Sequence, residues 1–404
     1  MGGMVIIGAG MAGHRAVISL RASGYDGPIT LIGQEALMPY DRPPLSKAAI
    51  ANEEEPVPVW LMDDGIAASL KADVKRNAQA VSIDRANSQV SLQDGQTISY
   101  AKLLIATGAK PRGLMLPGGG HALLLRNFED SVEFRKRFEA GKRIVIIGGG
   151  FIGLELASSA AKRGCRVTLI EALPRILMRG VPEKIAAIVH SRHVAAGVDV
   201  KTGVGIASLE KGAAILSNGE RIEADTIVAG IGAAPDIKLA ADAGLSLDNG
   251  IAVDSTLQTS DPDIYAAGDC CSFPHPVFGD RRIRLEAWRN AQDQGSLAGE
   301  NMLGAGKTYK AVPWFWSDQY EFSLQVAGLA DGCPNTVERN IAADALLLFH
   351  LSGDGTLKGA SGIGPGNSIA RDIKLAEMLI AKGAKPAADA LADPAVQLKT
   401  ILKG

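Results

Sequence analysis

The sequence predicts an α/β protein that contains two parallel βαβ units and ends in a smaller α+β domain. A short apolar run, a Gly-x-Gly-x-x-Gly motif and an apolar-periodic helix occur at the N-terminus. The same order recurs from Arg143 to Glu171. Beyond 304–306, β-type runs alternate with Gly/Asp turns and two helical segments follow, which is typical of an α+β domain.

The second βαβ unit has the glycines that a dinucleotide-binding fold requires. The strand Ile144–Ile147 leads into Gly148, which allows a tight turn, and Gly150, which lets the backbone approach a pyrophosphate. Gly153 lets the next helix pack closely on the strand, and the N-terminus of that helix offers N–H groups to a phosphate. An ordinary Gly-rich turn is the alternative, but the flanking strands favour a Rossmann-like unit.

Glu171 predicts which dinucleotide this unit takes. It ends the strand Arg166–Ile170, 18 residues after Gly153. A carboxylate at this place accepts hydrogen bonds from both hydroxyls of an adenosine ribose. A 2′-phosphate would meet the same negative charge, so we expect NADH rather than NADPH.

The first unit carries the same motif and therefore predicts a second dinucleotide. Two such units in one chain commonly hold FAD first and NAD(P)H second. Glu35, which follows Gln34 and lies 22 residues beyond Gly13, is assigned to the ribose of FAD. The parts of this unit are the strand Met4–Ile7, the loop residues Gly8, Gly10, Ala12 and Gly13, the helix Ala12–Ser23 and the strand Ile29–Ile32.

Bulk properties exclude several classes of protein. The 404 residues allow two or three domains. Hydrophobic residues make up 47% and charged residues 21%, as in a compact α/β enzyme, and the net charge of −2 gives no sign of nucleic-acid binding. No apolar run approaches 18 residues, and the N-terminus enters a strand without the basic region of a signal peptide. We therefore expect a cytoplasmic protein without a membrane span.

The cysteines argue against thiol chemistry. Cys165, Cys270, Cys271 and Cys333 form neither a C-x-x-C motif nor a zinc pattern. We expect Cys270 and Cys271 to be buried as small hydrophobic side chains. Flavoenzymes that exchange disulphides need a redox cysteine in the N-terminal half of the FAD domain, and no cysteine precedes position 165.

The loop Pro39–Lys47 reads PYDRPPLSK and carries two cations. After a Gly-x-Gly-x-x-Gly unit, this segment closely resembles the FAD-dependent NADH:[2Fe–2S] ferredoxin reductases of bacterial cytochrome P450 and ring-hydroxylating dioxygenase systems. That family has a glutathione-reductase-like architecture. The resemblance implies that Arg42 neutralises the pyrophosphate of FAD and that Lys47 reaches its isoalloxazine ring. A Pro-rich surface turn with solvated charges is the alternative.

Further segments of the chain resemble the FAD site of the same family. They are LLIATGAKPR at 103–112, a strand ending in Gly-Asp at 268–269, and a helical segment from 284 to 302. In the family the Asp of the Gly-Asp pair accepts a hydrogen bond from a ribityl hydroxyl. A surface ion pair is an equally good interpretation of Arg126. The FAD-binding residues that the resemblance implies are Val81, Thr107, Gly108, Arg126, Gly268, Asp269, Glu286, Trp288 and Ala291.

The segment PWFWSDQY at 313–320 resembles the C-terminal domain of the family. The resemblance implies that Trp316 covers the flavin near the edge that faces the ferredoxin. The alternative is that Trp314 and Trp316 are core aromatic residues.

The NAD-binding unit supplies the remaining site residues. Ile152 and Gly232 are implied to lie beside NAD, and Glu155 is implied to pair with Lys47 next to the flavin. The preference of a helix N-terminus for a carboxylate is the alternative reading of Glu155. Lys47, Glu155 and Trp316 are our catalytic candidates.

The chain order predicts that the NAD-binding domain is inserted in the FAD-binding domain. We place the FAD-binding domain at 1–112 and 236–305, the NAD-binding domain at 113–235 and the C-terminal α+β domain at 306–404. Local patterns add three expectations, which are an antiparallel sheet of Ala72–Asp84 and Gln89–Leu92, a helix from Pro174–Met178 and Pro182–Ala196, and a helix from Arg284 to Met302.

These features predict an NADH:ferredoxin oxidoreductase that moves a hydride from NADH to FAD and single electrons to an acidic [2Fe–2S] ferredoxin. The ferredoxin then serves a cytochrome P450 or a dioxygenase. One alternative is a flavoenzyme with another acceptor, such as rubredoxin, a quinone, monodehydroascorbate or oxygen. Another is a non-catalytic, NADH-responsive interaction protein. We expect a monomer without a metal site, and Arg289 is a candidate for ferredoxin docking.

Overall fold

The computed structural model describes residues 2–403, which form two compact units. The first unit comprises Met1–Asp41, Pro58–Lys110 and Pro235–Phe315. The second comprises Arg42–Val57, Pro111–Ala234 and Trp316–Gly404.

Both units combine strands and helices. The strands are β1 (Gly3–Ile7), β2 (Ile29–Ile32), β3 (Ala72–Lys75), β4 (Ala80–Asp84), β5 (Gln89–Leu92), β6 (Thr97–Ile105), β7 (Ala109–Pro111), β8 (Arg143–Ile147), β9 (Arg166–Glu171), β10 (Asp199–Thr202), β11 (Ile206–Glu210), β12 (Ala213–Leu216), β13 (Arg221–Glu223), β14 (Thr226–Ala229), β15 (Ala233–Pro235), β16 (Ile251–Ala252), β17 (Ile264–Ala266), β18 (Cys271–His275), β19 (Arg281–Ile283), β20 (Trp314–Gln319), β21 (Phe322–Gly328), β22 (Asn335–Ala342), β23 (Ala345–Leu351) and β24 (Leu357–Pro365). The helices are α1 (Met11–Ala22), α2 (Ala48–Ala51), α3 (Asp64–Ser69), α4 (Phe128–Arg137), α5 (Phe151–Lys162), α6 (Glu183–Ala195), α7 (Lys238–Asp242), α8 (Trp288–Met302), α9 (Ala370–Ala381), α10 (Ala388–Ala392) and α11 (Leu398–Lys403).

The first unit is built on a sheet with the order β3-β2-β1-β6-β5-β4, in which β17 also pairs with β6. The pairs of β1 with β2 and β6, and of β17 with β6, are parallel. Strand β1 is buried from Met4 to Ile7, as expected for a central parallel strand with both faces covered. Helices α1 and α8 approach closely, because a Cβ atom at Gly295 would lie 2.2 Å from the carbonyl oxygen of Ala12.

Two expectations about this unit need correction. The segment Ala72–Asp84 was expected to be antiparallel throughout, but β3 pairs in parallel with β2, and only β4 is antiparallel to β5. Strand pairing is a long-range choice that local alternation of apolar residues does not encode. The predicted helix from Arg284 begins only at Trp288.

The second unit contains a parallel sheet with the order β10-β9-β8-β14 and an antiparallel sheet of β11, β12 and β13. The expected helix from Pro174–Met178 onward is wrong in its first part, since α6 begins at Glu183. Leu177 has a φ of 53°, a left-handed conformation that a right-handed helix does not contain.

The same unit holds the antiparallel sheet β20-β21-β24-β23-β22. Its central strand β24, LKGASGIGP, was not predicted. A Cβ atom at Gly362 would lie 3.0 Å from Ile369, the N-cap residue of α9, and 3.3 Å from Ile373 within that helix. A Cβ atom at Gly364 would lie 3.1 Å from the Ile369 side chain. These glycines lower the strand propensity of the segment, and they also allow α9 to pack closely on the strand.

The cysteine prediction is confirmed, because Cys270 and Cys271 are fully buried and carry free thiols. Burial raises the pKa of both thiols. None of the helices in residues 2–403 is long and apolar enough to cross a membrane.

Candidate functional site

The glycine loop between β1 and α1 forms an open cradle. Gly8 has a φ of +114°, and a Cβ atom there would lie 2.1 Å from the carbonyl oxygen of Ala106. A Cβ atom at Gly13 would lie 1.9 Å from the carbonyl oxygen of Gly8. At Gly10, in contrast, a Cβ atom would meet nothing within 4 Å. The loop is therefore closed towards the protein and open at the helix N-terminus, as a bound pyrophosphate requires.

The Gly-Asp motif lies against helices α1 and α8. Gly268 has a φ of +84°, and a Cβ atom there would lie 3.3 and 3.6 Å from the Cβ atoms of Ala12 and Ala291. Gly268 N donates to Oε1 of Gln294 at 2.8 Å. The Nε2 atom of Gln294 is buried and has no hydrogen-bond partner within residues 2–403. Asp269, next to Gly268, is half-buried. Sequence reasoning missed Gln294.

The N-terminus of α8 is fixed by a contact with the Pro-rich loop. Trp288 Nε1 donates to Oδ1 of Asp41 at 2.5 Å. Glu286 accepts from Nη1 of Arg284 at 2.6 Å, so this predicted FAD-binding carboxylate is already paired. Sequence reasoning missed Asp41, which lies inside the PYDRPPLSK segment and carried no separate signal.

The remaining predicted FAD residues of the first unit lie in different places. Glu35 Oε2 accepts from the hydroxyl of Tyr40 at 2.5 Å. Thr107 Oγ1 donates to the carbonyl oxygen of Asp236 at 2.6 Å, and Gly108 follows in a left-handed conformation. Val81 is exposed. Their roles toward FAD stay predictions.

The glycine loop between β8 and α5 in the second unit repeats the geometry. Cβ atoms at Gly148 and Gly153 would lie 2.5 and 2.0 Å from the carbonyl oxygens of Gly230 and Gly148. At Gly150 the nearest atom would be 4.0 Å away, so the helix N-terminus is open. Ile152, in the first turn of α5, is exposed.

Glu171 lies against this loop and is held by two backbone N–H groups. Gly149 N donates to its Oε2 at 2.7 Å, and Leu173 N donates to its Oε1 at 2.8 Å. Each carboxylate oxygen keeps capacity to accept a further hydrogen bond. Gly232, with a φ of +101°, also borders open space. The geometry is compatible with the predicted ribose contact.

The three catalytic candidates lie together in the second unit. Lys47 Nζ is 3.1 Å from Oε1 of Glu155, and it lies 5.9 Å from the ring centroid of Trp316. Glu155 is buried, whereas Lys47 is partly exposed. Two hydroxyls that sequence reasoning missed also donate to Glu155, from Ser46 at 2.5 Å and from Ser317 at 2.6 Å. The carboxylate therefore has three polar partners, one of them a cation.

The short segment that carries Lys47 is fastened to helices α4 and α5. Ser131 Oγ donates to the carbonyl oxygen of Leu45, and Ser159 Oγ donates to that of Ser46, each at 2.7 Å. The buried Arg135 donates to the carbonyl oxygens of residues 50, 52 and 53. These contacts hold Lys47 in place through its backbone.

Arg42 and Arg126, which the resemblance assigns to FAD, are linked by a side-chain-to-backbone hydrogen bond. Arg42 Nη1 donates to the carbonyl oxygen of Arg126 at 2.6 Å. The backbone N–H of Arg126 donates to Oδ2 of Asp130 at 2.8 Å, next to the capping box that opens α4. The predicted contacts of both side chains with FAD stay predictions.

Comparison with known proteins decides the family. Residues 3–295 match the family described as pyridine nucleotide-disulphide oxidoreductase. The chain belongs to this family. A second family match, described as reductase C-terminal, covers residues 314–402 of the chain. The resemblance to the ferredoxin reductases of oxygenase systems is thereby confirmed.

Three relatives place the chain more closely within the family. It is 39% identical, over 98% of both chains, to the ferredoxin–NAD(+) reductase component of the anthranilate 1,2-dioxygenase system of Burkholderia cepacia. It is 38% identical to a rubredoxin–NAD(+) reductase of Pseudomonas putida, over 80% of this chain and 86% of that one. The covalent complex of putidaredoxin reductase with putidaredoxin gives a TM-score of 0.94 at 34% identity, over 100% of this chain and 98% of that one.

Reductases of this kind bind FAD and use NADH, and the two glycine cradles fit those cofactors. Each cradle leaves open the space at a helix N-terminus that a pyrophosphate occupies. In the first unit, Nε2 of Gln294, which has no hydrogen-bond partner within residues 2–403, adds a donor beside the cradle.

Proposed function

We propose that this protein is an FAD-dependent NADH:ferredoxin oxidoreductase that supplies a cytochrome P450 or a ring-hydroxylating dioxygenase. The observation that carries the proposal is similarity over the whole length of such reductases, including the C-terminal domain. Its partner is an acidic [2Fe–2S] ferredoxin. We also propose a cytoplasmic location, where free thiols persist.

Each part of the chain has a physical task in this activity. Bound FAD would supply the chemistry that links a two-electron donor to single-electron transfer. The loops at Gly8–Gly13 and Gly148–Gly153 hold pyrophosphates with backbone N–H groups. Glu171 selects NADH by binding the ribose and repelling a 2′-phosphate.

Lys47 and Glu155 form the charged pair that we assign to the reaction centre. The pair places one fixed cation within 3.1 Å of a buried carboxylate. A preorganised charge costs no rearrangement when the reaction changes the charge nearby. Trp316, next to Lys47, shields the centre from water.

Rubredoxin is the second candidate acceptor, because a rubredoxin reductase is nearly as similar to this chain. The choice between ferredoxin and rubredoxin then depends on the surface of the reductase that docks the acceptor. Arg289 is the docking residue that we propose. Its guanidinium lies 5.6 Å from the ring centroid of Trp314 and 3.8 Å from Asp293, so the cation is held in a defined position.

The first test is anaerobic titration of the FAD-loaded protein with NADH and, separately, with NADPH. Rapid bleaching of the flavin band by NADH and a weak response to NADPH are expected. A preference for NADPH would overturn the assignment of Glu171.

The second test measures cytochrome c reduction by NADH with a [2Fe–2S] ferredoxin, with a rubredoxin, or with neither. The proposal predicts a rate that depends on added ferredoxin. A rate that depends on rubredoxin alone would favour the second candidate, and slow turnover with all acceptors would favour an NADH-responsive binding protein.

A further inference from the structure

Glu155 is the end of a buried chain of polar side chains that runs through the second unit. Ser317 donates to Glu155, and Nε2 of Gln319 donates to Ser317 Oγ at 3.2 Å. Gln319 Oε1 lies 2.9 Å from Nε2 of His193, and His193 Nδ1 lies 3.2 Å from the hydroxyl of Tyr320. Ser317, Gln319 and His193 are all buried.

The carboxylate fixes the direction of every hydrogen bond in this chain. Oε1 of Glu155 lies 3.1 Å from Nζ of Lys47 and accepts a hydrogen bond from the Ser317 hydroxyl. The Ser317 oxygen then accepts from the amide nitrogen of Gln319. The amide oxygen of Gln319 must in turn accept a hydrogen bond from the N–H at Nε2 of His193.

His193 is thereby fixed in one tautomer. With the proton on Nε2, its Nδ1 can only accept, and the Tyr320 hydroxyl donates to it. Burial lowers the pKa of His193 to about 4, so the ring is neutral at pH 7. The opposite direction would place two acceptors 2.6 Å apart at Ser317 and Glu155.

Backbone and charge contacts close the outer end of the chain. Tyr320 has a φ of 55°, and its N–H lies 3.4 Å from Ser158 Oγ. The guanidinium of Arg192 lies 4.1 Å from the ring centroid of Tyr320 and pairs with Glu321 at 2.7 Å. The tyrosine ring is held between these contacts, so its hydroxyl stays at His193.

We propose that Ser317, Gln319 and His193 are positioning residues that hold Glu155 in the orientation that receives Lys47. This inference rests on the proposed function, which places that pair at the reaction centre. Since the hydrogen-bond chain ends in a donor to Glu155, each of its members favours the same orientation of the carboxylate. The acid that orients Lys47 is itself oriented from helix α6 and strand β20.

The test measures how fast acetic anhydride acetylates Lys47 in the FAD-loaded protein, read by mass spectrometry of the peptide that contains it. Released from Glu155, the Lys47 amine is less constrained and more accessible to the reagent. We expect roughly three- to tenfold faster acetylation in Ser317→Ala and Gln319→Leu, the scale expected for loss of one ordinary intramolecular hydrogen bond. Lys374 in the same sample serves as the internal reference.

Variants of the two buried histidines separate positioning from general damage to the fold. His193→Leu removes the N–H that donates to the amide oxygen of Gln319 and is expected to speed acetylation. His193→Gln returns an N–H near the position of Nε2 and is expected to restore the wild-type rate. His350 is the matched control, because it is also buried, has a pKa lowered to about 4, and lies 3.1 Å from the hydroxyl of Ser361. His350→Leu should leave Lys47 unchanged.

The same variants are then compared in stopped-flow reduction of FAD by NADH. The variants of Ser317, Gln319 and His193 that break the hydrogen-bond chain should lower the limiting rate of FAD reduction. They should leave the NADH concentration that gives half the limiting rate unchanged. The inference is overturned if Lys47 is acetylated in Ser317→Ala and Gln319→Leu at the wild-type rate. It is also overturned if His350→Leu raises the acetylation rate of Lys47 as much as these variants do. Acetylation needs neither NADH nor ferredoxin, so failure of the proposed function leaves this result readable.

Discussion

Replacing Lys47 by methionine tests whether Lys47 and Glu155 form one energetic unit. The two charged atoms are 3.1 Å apart, a separation worth about 5 kcal/mol of attraction at an effective dielectric constant near 20. Removing one partner of a buried pair costs about 3–5 kcal/mol, because the other charge stays buried. Lys47 is 23% exposed and two hydroxyls still reach Glu155, so we expect about 3 kcal/mol, at the low end of that range.

The design is a double-mutant cycle measured by urea unfolding of the FAD-loaded protein. Lys47→Met leaves the buried carboxylate of Glu155 without its cationic partner, and adding Glu155→Gln removes the carboxylate. The double variant should therefore regain about 1–2 kcal/mol relative to the sum of the single variants. Lys374 and Glu377 are the control pair, 2.9 Å apart with Lys374 59% exposed. Lys374→Met should cost less than about 1 kcal/mol.

Additive effects of Lys47→Met and Glu155→Gln on the free energy of unfolding would refute the coupling.

The catalytic part of the assignment has a separate test. Lys47→Ala should slow the reduction of FAD by NADH while FAD stays bound, because the substitution removes the fixed cation without touching either glycine cradle. An unchanged stopped-flow rate would show that Lys47 is not needed at this step.

Three further predictions concern NADH selection, the second cradle and acid sensitivity. Glu171→Ala should reduce the preference for NADH over NADPH by roughly tenfold, about the effect of 1.4 kcal/mol, in steady-state assays with both donors. Gly153→Ala should abolish reduction by NADH with FAD retained, since its Cβ atom would lie 2.0 Å from a carbonyl oxygen. The pKa values of His193 and His350, about 4 when folded, lie below the ordinary value near 6.5, so the unfolded state binds more protons between these values. Unfolding free energy should therefore fall as pH drops from 6.5 towards 4, and His350→Leu should weaken that dependence.

The two βαβ units were predictable because their signals are local. Glycines at fixed spacing, a strand before them and a helix after them are read within 30 residues. Gly148 and Gly153 lie where the motif predicts, and Cβ atoms at both would clash with backbone. The pairing of Lys47 with Glu155, by contrast, came from resemblance, since no local pattern links residues so far apart.

The sequence concealed what depends on tertiary contact. Strand β24 contains Gly359, Gly362 and Gly364, which lower strand propensity, and only the packing of α9 explains them. Gln319 and His193 form part of a hydrogen-bond chain across 126 residues. Each residue alone is an ordinary buried polar side chain, so nothing in the sequence singled them out.

The grouping of residues 42–57 with the second unit matters for anyone who builds hybrids of these reductases. A crossover placed between residues 57 and 111 would take the Lys47 segment from one parent and helices α4 and α5 from the other. Ser131, Ser159 and Arg135 would then face backbone carbonyls they were not selected to hold. A workable exchange moves 42–57, 111–234 and 316–404 together as one inherited module, even though three separate pieces of the gene encode it.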